Sequence, residues 1–140
     1  MTRTWPDERR PLKSGLGTLL RVARDPETGS SYPGRTAPFG FALVGGDSMR
    51  PRLAPGDRLL VRYGAQVRPG ALVLARFADG TLAVKRAVER RTTRTGAPAW
   101  WLLSDNPVAG VDSRHRGPVP EPDVVAVVLL RVWPRPRLRL

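Results

Sequence analysis

The stretch "ALVLARFADGTLAVKRAVER", residues 71–90, sets two β-rich runs on either side of Ala-Asp-Gly, a short polar connection with a glycine. That arrangement reads as a β-hairpin. Similar runs lie on both sides: "FGFALV" (39–44), "RLLVRY" (58–63), "AWWLL" (99–103) and "VVAVVLLRVW" (124–133). Between them sit "APGD", "RPG" and "RTGAP". The pattern predicts an all-β protein: a small, coiled antiparallel sheet or partly open barrel.

Residues 1–36 differ. Pro6, Pro11, Pro26 and Pro33, mixed charge and "ETGSSYPG" describe a loosely ordered leader. Within it Leu12, Leu16, Leu19, Leu20 and Ala23 recur at helical spacing, which allows one short amphipathic helix packed on the domain. The main domain is expected over residues 37–135, followed by a basic tail, 136–140.

Several chemistries fall away on composition. The 140 residues include no cysteine, so disulfides, thiolate zinc sites and cysteine nucleophiles are excluded. One histidine, His115, gives no basis for a histidine metal cluster, and neither metal nor cofactor is expected. The longest uncharged stretches, 36–46 and 124–130, fall far short of the ~20 apolar residues that span a bilayer. Acids and prolines interrupt the N-terminus before a signal-peptide core of ~7–15 apolar residues can form, so the expected residence is the cytoplasm.

A formal charge of +12 raises the question of a polyanionic partner. Arginine supplies 22 of the 24 basic residues, with only Lys13 and Lys85 as lysines, a skew that GC-rich coding explains as readily as selection for charge. No sequence-specific nucleic-acid partner is expected.

Against that background two residues draw attention. Ser48 lies in "LVGGDSMRPRLAPGDRLLV" (43–61), where the chain leaves an apolar run through Gly45 and Gly46 and meets Pro51 beyond. Glycine there permits unusual dihedrals and close approach, and predicts an exposed serine at a sharp strand end. Serine beside glycine is also ordinary turn chemistry, so the hydroxyl needs an activator before it counts as a nucleophile. His115, between Arg114 and Arg116, is a poor base. Lys85 is the better candidate: in an extended strand it projects on the face of Ala83 and Ala87, a small, dry surface. Burial can lower a lysine from ~10.4 by several units, whereas arginine never deprotonates.

These residues sit in segments that resemble a known family. "GDSMRPRLAPGDRLLV" is similar to the nucleophile box of the type I signal peptidases, and "VKRAV" resembles their lysine box. "LLSDNPVAGVDSRHRGPVPEPDVVAVV" resembles their last box, with Asp105, Asn106, Asp112, Ser113 and Arg114 in order. The resemblance spans residues 43–127 and implies a serine endopeptidase with a Ser–Lys dyad on an all-β scaffold. Ser48 would be the nucleophile and Lys85 the base. Gly46, Asp47, Met49 and Pro51 would shape the nucleophile turn and its oxyanion side. Asp105, Asn106, Asp112, Ser113 and Arg114 would support the site, with Asp112 paired to Arg114.

The chain departs from the family at three places. Ser104 stands where a glycine is common, Gly110 where a lysine-touching serine is common, and Gly46 where a hydroxyl donor to the oxyanion is common. Lysine orientation would fall to another group such as Ser113. Lacking a membrane segment, the chain looks most like the proteases that mature nickel-type superoxide dismutase. That implies a soluble precursor substrate whose N-terminal propeptide is removed. The alternatives are a self-cleaving repressor, for which 36 proline-rich residues are too few to form a helix-turn-helix, and a basic nucleic-acid-binding module.

Overall fold

The computed structural model of the chain describes residues 20–22, by backbone alone, and 38–140. Its elements are β1 (Leu20–Val22), β2 (Phe39–Val44), β3 (Arg58–Tyr63), β4 (Leu72–Arg76), β5 (Leu82–Thr92) and β6 (Pro98–Leu103), followed by a helical turn α1 (Ser113–Arg116), β7 (Val119–Pro120), a 3-10 turn (Glu121–Asp123) and β8 (Val124–Trp133). One eight-stranded antiparallel sheet runs in the order β1-β2-β3-β8-β4-β5-β6-β7. The two end strands do not pair with each other, so the sheet is not closed into a barrel. The fold is the all-β architecture that the spacing of apolar runs predicts.

The hairpin at 71–90 forms as read. Phe77 N–H donates to Thr81 O and Gly80 N–H to Phe77 O, while Gly80 takes φ +85°, a left-handed conformation that glycine adopts without steric cost. The last strand, β8, enters the middle of the sheet between β3 and β4. An almost uncharged ten-residue run suits that place, because its backbone is paired on both sides.

Apolar residues form two clusters, one on each face of the coiled sheet. Ala42, Val44, Met49, Leu53, Leu59, Val61, Leu74 and Val84 make the first; Val73, Ala75, Ala83, Ala87, Trp100 and Leu102 belong to the second. Each fully buried leucine or valine contributes about 1.5–3 kcal/mol relative to exposure. The first half of β5 is enclosed on both faces, and its second half, Val88–Thr92, stands out into solvent. Lys85 therefore lies in the dry half.

The helix expected around Leu12, Leu16, Leu19, Leu20 and Ala23 lies outside the described residues except at Leu20, which is extended and pairs with Val44. Pairing thus recruits part of the leader as an edge strand. No helix among the described residues is long and apolar enough to cross a membrane.

Candidate active site

The loop carrying Ser48 leaves β2 at Val44 and is closed at its base by Val44 N–H to Asp57 O (2.9 Å) and Gly56 N–H to Val44 O (2.7 Å). Asp57, itself buried, accepts from Ala54 N–H at 2.9 Å and from Arg131 of β8 at 3.2 Å, which fixes the returning limb. Inside the loop Met49 and Leu53 drop into the first cluster, and Leu53 N–H donates to Met49 O at 2.9 Å. The loop is pinned downward by these two side chains.

Ser48 is consequently 0% exposed, which corrects the expectation of an exposed turn serine. The segment after β6 covers it: Asn106 N–H donates to Ser48 O (2.9 Å), Asn106 Nδ2 to Asp47 O (3.1 Å), and Asp105 N–H meets Met49 Sδ at 3.4 Å. Gly45 and Gly46 do not adopt positive φ, so the turn needs none of the unusual dihedrals expected there. The bend is made instead by Arg50 N–H to Asp47 O (3.1 Å), with a cis Arg50–Pro51 peptide beyond it. Pro51 is exposed, as is Asp47, whose carboxylate takes Arg50 Nε at 2.5 Å.

Lys85 is also 0% exposed. Its Nζ donates to Ser104 Oγ at 2.9 Å within the protein interior. Burial lowers Lys85 from its ordinary value to about 8; the Asp112 carboxylate opposes that shift and the Arg114 cation adds to it. The lysine is therefore poised between forms near physiological pH.

Asp112 organises the groups around it. Burial alone would raise its carboxyl, but hydrogen bonds from Arg114 and from the Ser104 and Arg114 N–H groups hold it below the usual range. Oδ2 accepts from Ser104 N–H (2.9 Å) and Arg114 Nη2 (2.9 Å), and Oδ1 from Arg114 N–H (3.0 Å) and Nε (3.1 Å). Asp112 also N-caps α1, where His115 Nδ1 accepts the Asp112 N–H at 3.4 Å. His115 serves that cap and is more than half exposed.

Ser113 does not orient the lysine. Its Oγ accepts Leu102 N–H at 2.9 Å and ties α1 to β6. The group at Nζ is Ser104, which the sequence marked only as a departure from the family's glycine. Asp105, next in the chain, forms a two-pronged pair with Arg86 (2.9 and 2.7 Å). The structure thus gathers Asp47, Ser48 and Met49 against Asp105 and Asn106, and Lys85 against Ser104 near Asp112 and Arg114. Ser104–Asn106 is the short bridge between the two sets.

The contact with Ser104 makes a test that does not depend on activity. Ser104→Ala should cost about 1–3 kcal/mol, because a buried donor loses an acceptor. In a Lys85→Met background the same change should cost much less. Urea melts of the four proteins in this cycle measure the coupling, and equal costs in both backgrounds would remove Ser104 as the lysine's partner.

The sequence profile of the Peptidase S24-like family matches residues 28–115, more than half of the chain, and the chain belongs to that family. The family is of serine-peptidase type and also contains repressors. No curated protein matches the chain.

Proposed function

We propose that this protein is a serine endopeptidase in which Ser48 is the nucleophile and Lys85 the general base. The observation that carries the reading is a lysine wholly removed from water, lowered to about 8, and joined to the Ser48 loop through Ser104–Asn106. At pH 7.5 roughly a quarter of such lysines are neutral, against roughly 0.1% of ordinary ones. Neutral Nζ takes the proton of Ser48 as Oγ adds to the scissile carbonyl carbon, then returns it to the departing amine. A water, deprotonated by the same lysine, hydrolyses the acyl-enzyme and restores Ser48. The Ser48 N–H is the expected donor to the oxyanion, since Gly46 offers no hydroxyl. Asp112 and Arg114 act as positioning residues through Ser104.

The substrate we assign is a soluble precursor whose N-terminal propeptide is removed, on the sequence likeness to proteases that mature nickel-type superoxide dismutase. Incubating the protein with such a precursor and mapping the new N-terminus by mass spectrometry tests this. One cut at the propeptide boundary is expected; an intact precursor beside an enzyme that cleaves other peptides would dismiss the substrate alone.

Closure of Ser48 to solvent favours a second reading, self-cleavage, in which the chain presents its own scissile bond. Time-dependent fragments of the protein incubated alone, at a rate independent of its concentration, would select it.

A further inference from the structure

One face of β2, β3 and β8 takes no part in the site described above. Ala42, Val44, Leu59 and Val61 turn into the first cluster, so alternation sends Phe39, Phe41 and Leu43 of β2 and Arg58, Leu60 and Arg62 of β3 to the opposite face. The register aligns them in rows: Phe39 opposite Arg62, Phe41 opposite Leu60, Leu43 opposite Arg58, and Arg58 opposite Trp133 of β8. Three large rings remain open there, Phe39 at 50%, Phe41 at 49% and Trp133 at 56% exposure. The Arg62 guanidinium lies 5.8 Å from the Phe39 ring centre, and that of Arg58 5.8 Å from the Trp133 ring centre.

Charge on this face has one sign. Strands β2, β3 and β8 contain no side-chain carboxylate, and Arg58 and Arg62 lie on this face. Asp57, next to Arg58, is buried and held by Arg131. The face therefore suits an anionic partner. β3 lies between β2 and β8, β8 between β3 and β4, and β1 pairs with Ala42–Val44 of β2, so most of the backbone here is already paired within the sheet. What the face offers a partner is side chains: exposed rings, two of them with a guanidinium group set over them. The rings are about half exposed, and Arg62 and Arg58 lie over those of Phe39 and Trp133, so the face presents cation–ring stacks that a base can extend.

We propose that this face binds single-stranded nucleic acid without reading its base sequence. Bases would stack on Phe39, Phe41 and Trp133, and phosphates would pair with Arg58 and Arg62. Phe39 and Phe41, two residues apart on one strand, are spaced by about 6.8 Å, roughly twice the 3.4 Å rise between bases. Ring stacking is open to every base, so binding is tolerant of sequence. The proposal is independent of the Ser–Lys chemistry.

Fluorescence anisotropy with labelled 20-mers of deoxythymidine and of uridine, and with a 20-base-pair duplex, tests it on the full chain. At least one single strand should bind at 50 mM salt, weaken steeply toward 200 mM, and bind more tightly than the duplex; the better strand identifies DNA or RNA as the ligand. Phe41→Ala and Trp133→Ala should each weaken binding by about 5- to 150-fold, while Phe41→Tyr, which keeps the ring, should bind as the parent does. Circular dichroism melts confirm that the variants fold. Absent binding, equal affinity for the duplex, or affinity unchanged in the two ring-deleted variants would overturn the proposal, the last outcome meaning bulk charge alone. Ring-dependent binding to phosphatidylglycerol vesicles with no affinity for the oligonucleotides would also overturn it, in favour of a lipid surface.

Discussion

Ser48→Ala is expected to reduce precursor cleavage by at least about 10⁴-fold while leaving the protein folded. The chain has six serines, and Ser48 is the one whose backbone is held by the Asn106 N–H and whose neighbour Met49 is fixed in the core. Alanine keeps both anchors, so the loop should retain its course. Loss of the hydroxyl changes stability by about 1 kcal/mol or less by the usual net value of one hydrogen bond. The measurement is single-turnover cleavage with thermal melts of parent and variant in parallel. Cleavage that persists in a folded Ser48→Ala protein would show that the nucleophile lies elsewhere.

Lys85 is the site of the second large effect, in which activity and stability should move in opposite directions. Lys85→Met removes the base and should abolish turnover, yet it should stabilise the fold near neutral pH. A lysine held at about 8 against an ordinary 10.5 costs about 3 kcal/mol when it is protonated in the folded state. Roughly 1 kcal/mol must be subtracted for the hydrogen bond to Ser104. The direction follows from the lowered value. Between about 8 and 10.5 the unfolded chain holds a proton that the folded chain has released, so the parent gains stability as pH rises through that window. Below about 8 both states are protonated and the penalty is complete. The advantage of Lys85→Met should therefore be greatest at pH 7 and shrink toward pH 10, as urea melts at several pH values would show. Activity of the parent should rise through about pH 8. Lys85→Arg, permanently charged and larger, should be inactive and less stable than the parent. An active Lys85→Arg enzyme would end the assignment of Lys85 as base, and a Lys85→Met protein less stable than the parent at pH 7 would make the lysine structural.

By itself the sequence determined the β-architecture, because apolar runs of strand length punctuated by "APGD", "RPG", "ADG" and "RTGAP" leave little room for anything else: 39–44, 58–63 and 124–133 are strands to the residue. It also singled out Ser48 and Lys85, since a lone mid-strand lysine between alanines stands out in a chain that otherwise uses arginine. It did not reveal that β8 lies between β3 and β4, that part of the leader joins the sheet at β1, or that Ser48 is covered, because each depends on contacts between distant segments. The partner of Lys85 shows most clearly why tertiary structure had to decide. Near the β5–β6 turn the register pairs Arg90 with Trp100 and Glu89 with Trp101; continued unchanged, it would set Lys85 opposite Asp105. An irregularity between Ala87 and Glu89 shifts the pairing by one residue, so that Ala87 meets Leu102 and Arg86 meets Leu103. Ser104 then falls beside Lys85, and Asp105 is left to Arg86. A carboxylate against Nζ would keep the ammonium charged, whereas a serine hydroxyl in a dry interior lets burial lower it. A one-residue slip in a strand pair leaves no mark in local sequence, and it separates an ordinary ion pair from a candidate general base.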